Sequence, residues 1–102
     1  MKVLISEPDL ANRALLDAAL RHLGHEPVLS SSESFAAMVF DPGSSSSLAA
    51  AHAERQLRPG LPLVCVSHRT RTAAATALDP SAYVRKPFTI AELRDALMLA
   101  LR

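Results

Sequence analysis

The chain has one cysteine, three glycines, no marked excess of either charge and no long apolar run, and these shortages exclude several classes of function. With a single thiol, Cys65, no internal disulfide can form, and its place inside Leu63-Val64-Cys65-Val66 reads as a small core residue rather than a redox sensor. Eleven basic against ten acidic residues give a formal charge of +1. That supplies no field for non-specific binding to nucleic acid or to an anionic membrane. The opening Met1-Lys2-Val3-Leu4-Ile5 meets Ser6, Glu7 and Asp9 too soon for a signal peptide or a membrane span, so a cytoplasmic location is expected. No glycine-rich phosphate loop follows this run. Glu7-Pro8-Asp9 stands there instead and would repel a phosphate, which argues against a nucleotide- or flavin-binding enzyme. No serine lies in a nucleophile elbow, which argues against a hydrolase. His22 and His25 straddle Gly24 at a helix end and read as surface residues, so zinc is not indicated.

What is present fits one globular domain spanning residues 1–102, with no room for a separate output domain. Val3-Leu4-Ile5 is apolar on consecutive positions, as a strand covered on both faces requires. From about Asp9 to Leu23, Leu16, Ala19, Leu20 and Leu23 recur at helical spacing, and Gly24 is the natural stop. Pro27-Val28-Leu29 is a second strand, and Met38-Val39-Phe40 is a third that ends at Asp41. Pro42-Gly43 and the serines Ser44 to Ser47 read as a flexible turn with a helix cap at its end, followed by a helix from Leu48 to Leu57. Leu63 to Val66 is a fourth strand closing with Ser67, Thr70 to Leu78 a short helix, and Ala82-Tyr83-Val84 a fifth strand. Thr89-Ile90-Ala91-Glu92 is a capping box, and Ile90, Leu93, Leu97 and Leu101 form the stripe behind it. Strands alternating with helices predict an α/β fold with an open, mostly parallel sheet, whose ligands bind at the carboxyl ends of the strands.

Glu7, Asp41, Ser67 and Lys86 each follow or end a strand, so all project from that rim. Two carboxylates, a hydroxyl and an ammonium suit phosphoryl transfer to a carboxylate. An ionised aspartate needs no general base to act as a nucleophile, a cation offsets the charge of the incoming group, and a hydroxyl donates to its oxygens.

On these residues the chain resembles the receiver domains of two-component response regulators, of the chemotaxis-regulator type. Val3-Leu4-Ile5-Ser6-Glu7-Pro8-Asp9 resembles their opening strand and acidic cluster, Met38-Val39-Phe40-Asp41 the phosphoacceptor strand, and Pro62 to Ser67 the strand that ends in a switch hydroxyl. Tyr83-Val84-Arg85-Lys86-Pro87-Phe88-Thr89 is similar to the family's ending, with its aromatic, lysine and proline in order. The resemblance implies a flavodoxin-like sheet of five parallel strands in the order 2-1-3-4-5 and a cis peptide between Lys86 and Pro87. It also implies Asp41 as phosphoacceptor, Lys86 and Ser67 as its catalytic partners, and Ser67 with Tyr83 as the switch pair. A sensor histidine kinase or phosphotransfer protein would supply the phosphoryl group. A downstream protein would read the family's fourth helix, fifth strand and fifth helix. The chain would be no enzyme beyond its own phosphorylation and dephosphorylation.

Three features depart from the family. Its opening acids come as an adjacent pair, and here Pro8 takes the second place. The Mg²⁺ site that the resemblance implies is therefore expected to be weak, held by Glu7, Asp41 and the carbonyl of Gly43, with Asp9 as a further candidate. Only about seven residues, Ser30 to Ala36, join the second and third strands, where a helical crossover needs a dozen or more. The fold's second helix is thus expected to be short or missing, leaving one sheet face partly uncovered as a candidate homodimer interface. His68 stands beside Ser67, where the family carries a small residue, and is read as a rim residue. Two functions follow: a phosphorylatable stand-alone receiver, and a phosphorylation-independent pseudo-receiver acting as a protein-interaction or dimerisation module.

Overall fold

The computed structural model describes residues 1–69 and 72–102. Five strands, β1 (Lys2–Ser6), β2 (Glu26–Val28), β3 (Ala37–Phe40), β4 (Leu63–Ser67) and β5 (Ala82–Arg85), form one parallel sheet in the order β2-β1-β3-β4-β5. Among the described residues four helices flank it: α1 (Leu10–His22), α2 (Ser45–Leu57), the short α3 (Ala73–Ala77) and α4 (Ile90–Ala100). Thr70 and Arg71, included in the helix expected from Thr70, lie outside the described residues.

Consecutive apolar residues are needed because alternate side chains enter two different cores. Val3, Ile5, Val39, Val64 and Val66 pack under α1 and α4 with Leu16, Leu20, Leu93 and Leu97. Leu4, Met38, Phe40, Leu63 and Cys65 pack on the opposite face with Ala51 of α2 and Ala75 of α3. Of the expected α4 stripe, Leu93 and Leu97 are buried, Leu101 is partly so, and Ile90 is 43% exposed. Ile90 belongs to the first turn of α4, and Phe88, ahead of the cap, packs against the core instead.

Local chemistry sets the helix ends. Asp9 caps α1 by accepting from the Asn12 N–H at 2.9 Å, and Gly24 takes φ +86° just past its end. The α4 capping box is complete, Glu92 N–H donating to Thr89 Oγ1 and Thr89 N–H to Glu92 Oε1, each at 3.1 Å. Thr89→Ala is expected to lower stability by about 1 kcal/mol, read as a Tm drop of roughly 4–8 °C in thermal unfolding. The expected start of α2 at Leu48 is corrected to Ser45, because the first serine of the run, Ser44, is the cap and accepts from Ser47 N–H. The run is therefore helix from its second serine onward, not a flexible turn.

No helix occupies the β2–β3 connection among the described residues. The sheet face beneath is nevertheless not exposed, which corrects the expectation of an uncovered apolar surface. Phe35 from the connection is 8% exposed and joins Leu4, Val28 and Met38 in the second core. Arg58, at the end of α2, holds it in place: its guanidinium donates to the Phe35 carbonyl at 2.6 Å and lies 5.2 Å from the ring centroid. Arg55 ties the same helix to the far side, donating to the Leu78 and Leu61 carbonyls at 2.8 and 3.1 Å.

Candidate functional site

The sheet register fixes the site. Ser6 of β1 aligns with Phe40 of β3, so Glu7 and Asp41 leave the sheet side by side. Ser67 of β4 aligns with Arg85 of β5, and the Lys86 N–H donates to the Ser67 carbonyl at 2.8 Å. The Lys86-Pro87 bond is cis, as the resemblance implies.

Lys86 bridges the two carboxylates: its Nζ donates to Asp41 Oδ2 at 2.8 Å and to Glu7 Oε1. The side chains of Lys86, Glu7 and Asp41 are 4%, 3% and 15% exposed, so this trio is shielded from water and Asp41 faces outward most. Burial alone would lower the Lys86 pKa, but the hydrogen bonds and charges of Asp41 and Glu7 outweigh it and hold the value above the usual one. The ammonium stays charged. Asp41 is further oriented by the Gly43 N–H, which donates to Oδ1 at 2.8 Å. A side chain at position 43 would meet that oxygen, its Cβ falling 3.1 Å away, so glycine suits the position.

Ser47, expected in a flexible turn, locks the floor of the site. It accepts from the Asp41 N–H at 2.9 Å and donates to the Ser6 carbonyl at 2.5 Å, tying the ends of β1 and β3 together. Nothing in a run of four identical residues marks which one does this.

Glu7, Asp41, Ser67, His68 and Arg69 line one cleft of about 260 Å³ with Asp9, Asn12 and Gly43. His68 is exposed at its edge. Ser67 Oγ accepts from the Arg69 N–H at 3.2 Å. Tyr83 and Ser67 both line an adjoining cavity, with Cys65 at its wall. Burial pushes the Cys65 thiol up to about 11, the Asp41 charge acting in the same direction and Lys86 against it, so it stays protonated at neutral pH. His22 is exposed, whereas His25 is half-buried, its Nδ1 without a hydrogen-bond partner among the described residues; burial and the N-terminal charge lower its pKa.

The residues at the cleft fit a Mg²⁺ ion poorly. Pro8 contributes no side-chain oxygen, Asp9 has one oxygen engaged in capping α1, and Glu7 is buried against Lys86, so Asp41 and the Gly43 carbonyl are the expected donors least encumbered. Two carboxylates against one ammonium leave the trio with a single net negative charge, little attraction for a small divalent ion that sheds its waters reluctantly. Among the described residues no three His, Cys, Asp or Glu side chains are grouped to hold a metal.

No family model and no curated protein matches the chain by sequence. By structure, chemotaxis protein CheY4 of Vibrio cholerae superposes with a TM-score of 0.86 at 17% identity, covering 98% of each chain. Response regulator protein TrrA of Thermotoga maritima, solved in complex with Mg²⁺-BeF, gives 0.81 at 20% identity and 98% of each chain. The receiver domain of a sensor histidine kinase of Pseudomonas aeruginosa, with a magnesium ion in its active-site cleft, gives 0.81 at 19%, covering 97% of this chain and 96% of that one. With the strand order β2-β1-β3-β4-β5 unbroken, the chain has the fold of the CheY-like response-regulator receiver domains.

Proposed function

We propose that the chain is a stand-alone receiver in two-component phosphorelay signalling that accepts a phosphoryl group on Asp41 and acts through protein contacts in the cytoplasm. The observation that carries this reading is the bridge from Lys86 to both Asp41 and Glu7 in a cleft shared with Ser67. Asp41 is the most accessible member of that trio and is held by donors on both oxygens, which aims the carboxylate at an incoming phosphorus. Lys86 offsets the charge that arrives, and the Ser67 hydroxyl donates to the phosphoryl oxygens. A sensor histidine kinase or phosphotransfer protein is the donor, and Ser67 with Tyr83 transmits the change to a downstream protein. Among the described residues no helix is long and apolar enough to cross a membrane.

Incubating the protein with acetyl phosphate should add the mass of one phosphoryl group, and Asp41→Asn should abolish the addition. Absence of any adduct on the unaltered protein would instead support the phosphorylation-independent pseudo-receiver, which Pro8 favours. The dimerisation form of that second reading loses its support where Phe35 closes the sheet face.

A further inference from the structure

Among the described residues the acidic side chains lining the cleft are not grouped to hold a metal, and an arginine stands at its edge. Arg69 lines the same cleft as Asp41 and Ser67, its backbone N–H is fixed on Ser67 Oγ at 3.2 Å, and it makes no ion pair among the described residues. Lys86 cannot supply all the compensation, because its single charge is already shared between two carboxylates. Resting on the reading of Asp41 as phosphoacceptor, we propose that this cleft takes its phosphoryl group without a divalent cation, Arg69 supplying the positive charge that a metal would otherwise bring.

The charge balance supports this. An Asp41 oxygen attacks the phosphorus of acetyl phosphate, the bond from phosphorus to the acetyl oxygen breaks, and acetate leaves with the electron pair; no proton has to move. Asp41 gives up its own negative charge to the new bond, and the phosphoryl group brings about two. With Glu7 and Lys86 counted, the site becomes more negative by about one charge. A guanidinium is suited to that excess, since its planar fork meets two phosphoryl oxygens at once, and it is always protonated. His68, between Ser67 and Arg69, is exposed at the rim of the same cleft.

The test compares the unaltered protein, Arg69→Ala, Arg69→Lys and Asp41→Asn with acetyl phosphate, in Mg²⁺ or in EDTA, reading adduct formation by intact mass over time. Arg69 is exposed, so its variants should fold as the parent does. The expected result is a rate in EDTA within about threefold of that in Mg²⁺, slowed by about tenfold or more in Arg69→Ala and partly restored in Arg69→Lys. An adduct that forms only with Mg²⁺, or an EDTA rate indifferent to Arg69→Ala, overturns the inference while leaving Asp41 as acceptor. No adduct on the unaltered protein in either buffer overturns both.

Discussion

Replacing Lys86 by alanine is expected to destabilise the fold by about 3–5 kcal/mol, because it strands a buried carboxylate without its counter-charge. The Glu7 side chain is 3% exposed and has Lys86 as its ion-pair partner, while Asp41 keeps the Gly43 N–H and partial access to water. Most of the cost therefore falls on Glu7. Thermal unfolding should show a Tm lower by roughly 12–40 °C, given about 4–8 °C per kcal/mol for a domain of this size. Adding Glu7→Gln to Lys86→Ala should recover a large part of the loss, since a neutral amide no longer needs a cation. A loss under about 1 kcal/mol for Lys86→Ala, the range of an exposed pair, would show that the trio is solvated. The pH dependence has a definite sign. A lysine whose folded pKa is raised contributes stability in full below its unfolded value near 10.5 and loses it as pH climbs through the higher folded value, so the contribution is flat across neutral pH.

The second large effect concerns Phe35. Phe35→Ala should lower stability by about 3 kcal/mol, the range for losing a buried aromatic that the surroundings do not refill. It should also open the sheet face over Leu4, Val28 and Met38 and leave Arg58 without its aromatic platform. Urea unfolding measures the first consequence. Concentration-dependent sedimentation of the variant, compared with the parent, measures the second, and unchanged values in both experiments would mean that the ring covers nothing of consequence.

The parts legible in the sequence are those set by neighbours along the chain. Consecutive apolar residues in Val3 to Ile5 and Leu63 to Val66 announce a sheet covered on both faces, and Thr89 with Glu92 announces the start of α4. Glu7, Asp41 and Lys86 meet because each directly follows a strand of a parallel sheet, and such strands end on one rim. What stayed hidden depends on partners distant in the chain. The bonds of Ser47 to both strand ends, the burial of Phe35 under Arg58 and the compensation of two acids by one lysine need the folded geometry. Ile90 shows the limit of periodicity: it has the right spacing, but its first-turn position leaves it exposed.

The shortened path from Val28 to Ala37 also says why such a fold can dispense with a whole helix. Ordering a connection costs chain entropy that grows only logarithmically, about 0.6 kcal/mol per doubling of its length, so trimming a dozen residues changes that balance by under about 1 kcal/mol. Connectivity is thus almost indifferent to the deletion. What the helix contributed was shelter from water, and a single aromatic ring held by one arginine supplies enough of it for the architecture to persist at 102 residues.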